Sequence, residues 1–267
     1  MSMDLRTAVL ADLAAESDQL DSWVDGLDAD GWATVTTPEG WTVAHQIGHL
    51  AWTDQASLTA INDPDAFAEG LKLAAANPEG FTDEGAEEWA QIPIPELMRR
   101  WRVGRADLAR ELAAVPDGEK IPWYGPPMSP TSMATARIME TWAHSHDVAG
   151  ALGIVPPQTD RCKHVCHLGV RTRGFAYMVR GEQVPDVEVY VALTGPSGDL
   201  WTWGSPEAPQ RITGSGYDFA LLATRRRHVD DVDVHAEGED AAHWLTIVQA
   251  FAGLPGNDPA RLSESAS

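Results

Sequence analysis

The strongest constraint on the fold is the helical spacing of apolar residues over the first 155 positions. The apolar stripes are bounded by residues that favour helix ends: Thr42 is a candidate N-cap, and Pro95 suits a first turn. Ser129 followed by Pro130 begins another candidate helix, which stops at Gly153. The first stripe consists of Leu5, Val9, Leu13, Leu20, Trp23 and Leu27. Four helices that each have one apolar face predict a helical bundle.

The pattern changes after the segment VPPQTD, residues 155–160. One more helix is predicted from Arg161 to about Val179, and the segment VEVYVALTG then alternates apolar and polar residues as a half-buried strand does. The other predicted elements are strands at LWTWG, RITGS and DVDVHAEG and helices near 216–226 and 239–252. This mixture is typical of a small α+β unit.

The predicted fold class is therefore α+β, with two domains. Residues 1–155 are expected to form a four-helix bundle, and residues 156–267 a smaller α+β domain with one leading helix. The acidic segment 62–90 is rich in Gly, Pro and Asn, so it is expected to be a long loop or a set of short helices.

The charge balance excludes some partners. Lys and Arg total 19 against 40 acidic residues, which gives a net charge of −21. Such a surface repels phosphate backbones and anionic membranes, so we expect neither nucleic acid nor a membrane as a partner. No stretch approaches the roughly 20 apolar residues of a membrane span, and the N-terminus lacks a signal-peptide pattern. With only two cysteines, Cys162 and Cys166, the protein is expected to be cytoplasmic.

Two pairs of residues four positions apart can each place ionisable groups on one helix face. Glu140 and His144 lie about 40° apart around a helix, as do His45 and His49. His146 is turned about 200° from His144, so it is expected at the surface and outside any shared site. Two helices that each present a polar pair inward can hold an ion in a bundle core.

A metal site and a hydrogen-bonded core are the two interpretations of these pairs. The neighbours are apolar: Ile47 and Leu50 lie beside one pair, and Met139 and Trp142 beside the other. Burying a carboxylate and imidazoles there without partners costs free energy, and a bound cation removes much of that cost. Imidazole nitrogens with one carboxylate oxygen suit zinc, with iron or nickel as alternatives.

The segments GWTVAHQIGHLAWTD and ETWAHSHDVAGALG together resemble the mycothiol-dependent maleylpyruvate isomerase family, within the wider DinB-like bundle proteins. The resemblance implies that His49, Glu140 and His144 hold a zinc ion. It also implies a sterol-carrier-like C-terminal domain, in which Arg225 is the best match to an arginine near the thiol or the substrate carboxylate. An alternative for Arg225 is a cation placed near the C-terminal end of a helix.

Three further features have two interpretations each. His45 either supports the site or contacts substrate, or it is a polar residue at the bundle end. Asp147 either orients His144 or is solvated. The segment CKHVCH, Cys162 to His167, either holds a second metal or contains reduced thiols, and the second interpretation is preferred because no second cysteine pair exists.

Three protein ligands would leave one coordination position open, as in catalytic zinc sites. That position could hold water or a thiolate, and the resemblance favours a thiol such as mycothiol. In the family the activated thiolate adds to a conjugated double bond, the bond rotates, and elimination gives the other isomer. Isomerisation and S-transfer to an electrophile both fit, so the expected partners are a small thiol and an electrophile. The alternatives are a metal-containing ligand-binding or sensing protein without turnover, and a metal that only braces the bundle.

Overall fold

Helices make up the first part of the chain, and a four-stranded sheet characterises the second. The structure, a computed structural model, describes residues 4–78, 80–254 and 258–265. The chain divides into two compact units, Met1–Pro156 and Pro157–Ser267. The predicted α+β class is confirmed. Within the described residues, no helix has the length and apolar character that crossing a membrane requires.

Four long helices dominate the first unit and pack against one another. The helices of this unit are α1 (Leu5–Val24), α2 (Ala29–Ala33), α3 (Val43–Asn62), α4 (Pro64–Ala76), α5 (Phe81–Ala90), α6 (Ile94–Ala114) and α7 (Pro130–Leu152). The acidic segment 62–90 contains the short helices α4 and α5, which is one of the two predicted possibilities. Helix α5 packs closely on α3.

The predicted helix ends are confirmed. Thr42 is the N-cap of α3, and its side chain takes part in a capping box with His45. Ser129 caps α7 by accepting a hydrogen bond from the backbone N–H of Ser132. Gly153 follows the last turn of α7 with φ 66°, a left-handed conformation that glycine adopts without strain.

The second unit contains the sheet β2-β1-β3-β4, in which β1 and β3 are parallel and the two outer pairs are antiparallel. All four predicted strands are present. The elements are α8 (Cys162–Arg171), α9 (Arg173–Met178), β1 (Val189–Thr194), β2 (Leu200–Trp203), β3 (Gln210–Ser215), α10 (Gly216–Ala223), β4 (Val234–Glu237), α11 (Glu239–Ile247) and α12 (Leu262–Ser265).

The prediction of one leading helix from Arg161 to about Val179 was wrong, because the helix breaks at Thr172. The Thr172 hydroxyl lies 2.7 Å from the carbonyl oxygen of Leu168 and 2.5 Å from that of Gln249. A threonine hydroxyl bonded to backbone oxygens competes with regular helix geometry. The predicted helix at 239–252 also ends early, at Ile247.

A layer of buried polar side chains separates two apolar clusters in the bundle. One cluster includes Leu20, Ile47 and Val148, and the other includes Leu13 and Ile138. The side chains that we call the polar layer are Glu16, Ser17, Thr53, Asp54, Ser57, Arg137, Thr141 and Ser145. Such groups are stable in a core only when they have hydrogen-bond or charge partners.

A buried ion pair in the polar layer joins α3 to α7. The Arg137 Nε atom donates to Asp54 Oδ1 at 2.9 Å, and Nη2 donates to the carbonyl oxygen of Leu50 at 3.4 Å. Both charged side chains are almost completely buried, at 2% and 8% exposure. Burial raises the pKa of Asp54 above its usual value, although the Arg137 guanidinium opposes that rise. Each charge of the pair depends on the other.

Replacing Arg137 by methionine is expected to lower the free energy of unfolding by about 3–5 kcal/mol, because Asp54 would remain buried without its partner. The double variant Asp54→Leu/Arg137→Met should lose less, since neither charge remains. Urea denaturation at neutral pH measures both. Lys72→Met is the control, because it breaks an exposed pair with Glu69 whose loss should cost less than about 1 kcal/mol. Equal losses of unfolding free energy in Arg137→Met and Lys72→Met would contradict the prediction.

Candidate metal centre

Three ionisable side chains from α3 and α7 converge at one point in the bundle. His49 Nε2 lies 3.3 Å from Glu140 Oε2, and His144 Nε2 lies 3.4 Å from the same oxygen. One ligand atom from each residue lies within 4.8 Å of the others, and the two imidazole centroids are 4.5 Å apart. Two nitrogens and one oxygen therefore face a shared space of the size that one metal ion occupies.

The helical geometry explains this convergence. Glu140 and His144 are one turn apart on α7, so their side chains lie on the same face of that helix. His49 lies on α3, which packs against α7 in the bundle. His49 and His144 are buried, whereas the Glu140 side chain keeps 24% exposure. The two histidines therefore lie on the buried side of the site, and solvent can reach the Glu140 carboxylate.

The carboxylate of Glu140 is held in its charged form. Burial alone would raise the pKa of Glu140, but its polar contacts with the His144 and His49 imidazoles, with their charge, outweigh it. The pKa of Glu140 lies well below its usual value as a result. A negatively charged oxygen between two imidazoles is a donor set that fits zinc, and also nickel or iron.

Two tryptophans pack against the histidines. The Trp41 ring is stacked on His144, with centroids 5.9 Å apart and planes at 15°, and it also contacts His49 at 5.4 Å. Trp52 contacts His49 at 5.9 Å and packs edge-on against Phe81. These rings restrict the rotation of the imidazoles and place apolar surface beside the candidate ligands.

His45 has a structural role at the start of α3. Its Nδ1 atom accepts from the backbone N–H of Thr42 at 3.2 Å and lies 2.8 Å from the Thr42 hydroxyl. Its Nε2 atom donates to Glu87 on α5 at 2.7 Å, which holds the pKa of that carboxyl below its usual value. Both ring nitrogens of His45 thus contribute to a helix end and to a contact between helices.

Asp147 and His146 are less exposed than the sequence interpretation allowed. Asp147 is buried on α7, so the solvated alternative is wrong for it. His146 is half-buried, with its ring 3.8 Å from that of Trp142 and its Nδ1–H donating to the Trp142 carbonyl at 2.7 Å. It lies outside the three-residue group, as its position on the helix predicts.

In the second unit, Cys162 and Cys166 are buried free thiols. Burial and the neighbouring Cys162 raise the pKa of Cys166 well above its usual value, and Cys166 Sγ donates to the carbonyl oxygen of Gly216. His167 accepts a hydrogen bond from Trp203 Nε1 at 3.2 Å. Over the described ranges, these three residues are not gathered into a metal-sized group.

Arg225 follows α10 with φ 61°, a left-handed conformation that is strained for a residue other than glycine. Its guanidinium donates to the carbonyl oxygen of Thr246 at 3.2 Å and forms an ion pair with Asp258. Its Nε atom is buried without a hydrogen-bond partner in the described part of the chain. Arg225 therefore has partners within its own unit, while its buried Nε–H has none among the described residues.

Two imidazole nitrogens and one carboxylate oxygen on facing helices define a class of bundle protein with a candidate three-ligand metal site. Residues 13–149 match the family described as the mycothiol maleylpyruvate isomerase N-terminal domain. That match spans just over half of the chain, and the chain belongs to this family. The predicted family is confirmed, whereas the sterol-carrier-like character of the second unit stays a prediction.

The chain is also similar to two relatives and to two solved structures. Two Mycobacterium tuberculosis proteins, both described as uncharacterized, are each 56% identical over 247 residues, which is 92% of this chain and 96% of theirs. Crystal structures of a mycothiol-dependent maleylpyruvate isomerase and of its histidine-to-alanine mutant align with TM-scores of 0.56 and 0.57. They are 16% identical and cover 90% of this chain and 96% of theirs, so they show a shared fold.

Sequence reasoning missed Gln46, which is fully buried and has its Oε1 atom 2.5 Å from His144 Nδ1. It lies three residues before His49, so helical spacing alone could have placed it on the same side of α3. Trp41 was also missed, because it precedes α3 in a segment without periodicity. Both residues lie inside the segment GWTVAHQIGHLAWTD, which is the sequence signal that they share.

His45→Ala is expected to lower the free energy of unfolding by about 1 kcal/mol, because it removes the capping box and the contact with Glu87. Metal content should not change, since His45 lies outside the three-residue group. His45→Gln is the matched variant and should retain stability, because glutamine also serves at this position of a capping box. Urea denaturation and metal analysis measure the two effects, and loss of metal in His45→Ala would contradict this role.

Proposed function

We propose that the chain is a zinc-dependent enzyme that activates a low-molecular-weight thiol, with His49, Glu140 and His144 as the metal ligands. The observation that carries the proposal is the convergence of two imidazole Nε2 atoms on one carboxylate oxygen, at 3.3 and 3.4 Å. Catalytic zinc sites commonly have three protein ligands of these types and one open position. Nickel or iron could occupy the same donor set.

The chain's own residues supply three properties to this site. Glu140 is ionised at neutral pH because its pKa is well below its usual value, so it can meet a cation without losing a proton. Its partial exposure leaves room for a small ligand. Trp41 and Trp52 exclude water from the imidazole faces that they cover. A zinc ion bound there would lower the pKa of a thiol and favour the nucleophilic thiolate.

Mycothiol is the proposed thiol, since the family and the structurally similar enzyme are both named for it. The proposed partner of the thiol is a small electrophile. Two reactions would use the same activated thiolate: isomerisation by addition to a conjugated double bond followed by elimination, and S-transfer to the electrophile. The free, buried cysteines Cys162 and Cys166 suit the reducing cytoplasm, which is where we propose that this chemistry takes place.

Two further residues have proposed supporting roles. Arg225 is proposed to bind a carboxylate of the thiol or of the substrate in a sterol-carrier-like second domain. Its strained backbone supports that role, as does its Nε atom, which lacks a hydrogen-bond partner among the described residues, because strain persists where the surrounding structure or a function maintains it. Asp147 is proposed to support His144 from the next turn of α7, where it is buried.

Metal analysis by mass spectrometry tests the ligand set. The purified protein should contain about one zinc ion per chain, and His49→Ala and Glu140→Ala should each lose it because two ligands bind zinc weakly. His146→Ala is the matched control on the same helix and should keep the metal. Absence of metal from the carefully prepared wild type, or its loss in His146→Ala, would refute the assignment.

A thiol-dependent assay tests the chemistry. Zinc-loaded protein should convert maleylpyruvate in the presence of mycothiol, or join mycothiol to 1-chloro-2,4-dinitrobenzene, at rates above the uncatalysed reactions. Glu140→Gln should fall to the background rate, since it removes the charged ligand. Omission of the thiol is the control. Tight binding of an apolar ligand with no thiol-dependent turnover would instead favour the ligand-binding alternative.

A further inference from the structure

Neighbours from different parts of the bundle hold the His144 ring at both nitrogens and on one face. Glu140 Oε2 faces its Nε2 atom, Gln46 Oε1 faces its Nδ1 atom, and the Trp41 ring stacks on its face. His49 differs, because its Nδ1 atom is buried and has no hydrogen-bond partner within the described segments. Of the two candidate histidine ligands, His144 is therefore the one held on both edges.

The backbone carbonyl of Trp41 determines which atoms of Gln46 donate and accept hydrogen bonds. The Thr36 hydroxyl donates its proton to the carbonyl oxygen of Trp41 at 3.0 Å, so its oxygen is left as an acceptor. Gln46 Nε2 donates to that oxygen at 2.8 Å. The amide nitrogen of Gln46 thus faces Thr36, and its Oε1 atom faces His144. An amide oxygen accepts only, so His144 Nδ1 must carry the proton.

We propose that Gln46, held by Thr36, is a positioning residue that fixes His144 as the Nδ1–H tautomer and directs its Nε2 lone pair into the candidate metal site. This inference rests on the proposed function, because the lone pair matters only if a metal binds there. Metal-ligating histidines are commonly oriented by a hydrogen bond to the other ring nitrogen, which also raises their basicity.

A reversed Gln46 amide gives a competing arrangement. If the Gln46 amide were reversed, its nitrogen would donate to His144 Nδ1, and His144 Nε2–H would donate to Glu140. The site would then be a hydrogen-bonded triad with no lone pair from His144 for a metal. That arrangement requires the Thr36 hydroxyl to turn away from the Trp41 carbonyl, whereas both the hydroxyl and the N–H of Thr36 bond to that oxygen. The observed bonds favour the metal-competent tautomer.

Nitrogen NMR on metal-free, histidine-labelled protein reads the tautomer directly, with His144→Gln used to assign the signal. We expect a protonated Nδ1 for His144 in the wild type. In Gln46→Met, which keeps the side-chain length but has no amide, the Nε2–H form should appear. An unprotonated Nδ1 on His144 in the wild type, or no difference between the two proteins, would overturn the proposal.

Zinc affinity provides the second readout. Gln46→Met is expected to weaken zinc binding by roughly 10–100-fold, the range typical for groups that orient metal ligands. Thr36→Val should weaken it in the same direction, because it frees the amide to rotate. Gln46→Glu should restore binding, since a carboxylate also accepts from Nδ1–H. Gln55→Met is the matched control on the exposed side of α3 and should bind as the wild type does.

The two proposals can fail separately. Zinc binding by Gln46→Met within about twofold of the wild type, with unchanged circular dichroism, would overturn the positioning role while the metal site stood. Failure of the wild type to bind zinc would refute the proposed function, and the tautomer measurement on metal-free protein would still decide the role of Gln46.

Discussion

The burial of charge in the bundle core is the constraint on which the rest of the structure depends. A bundle of this kind can be apolar throughout, yet here a polar layer divides its core into two apolar clusters. Each buried charge costs free energy unless a partner of opposite sign is held close to it. The Asp54–Arg137 pair meets this condition within the chain. Glu140, which faces two imidazoles, meets it fully only when those imidazoles are charged or when a cation is bound.

The same polar contacts set the register between α3 and α7. Three contacts join the helices: Gln46 with His144, His49 with Glu140, and Asp54 with Arg137. Residue numbers rise along α3 from one contact to the next, while they fall along α7. This is the pattern of two antiparallel helices in contact. A slip of one turn would separate all of these partners together. We infer that the ion pair contributes specificity of helix register, which the geometry of the candidate metal centre requires.

The sequence was sufficient for features that depend on local chemistry. The caps at Thr42 and Ser129, the stop at Gly153 and the four strands are each determined by residues next to them in the chain. The break at Thr172 was missed because its hydroxyl also bonds to Gln249, a residue far along the chain. Thr36 and Trp41 were missed for the same reason, since their relation to His144 exists only after folding.

His45 and Gln46, which are adjacent at the start of α3, show why spacing alone leaves roles open. Relative to His49, His45 lies about 40° to one side around the helix and Gln46 about 60° to the other. By spacing, both positions are close enough to His49 to reach the candidate metal centre, and His45 is the more obvious choice because imidazole is the commoner metal ligand. Packing decides otherwise: α5 covers the side of His45 and supplies Glu87, whereas α7 covers the side of Gln46 and supplies His144. The uncharged amide is therefore the group that contacts a candidate ligand, and the titratable imidazole serves the helix end. The role of a residue at such a site therefore depends on which neighbouring helix its side chain contacts.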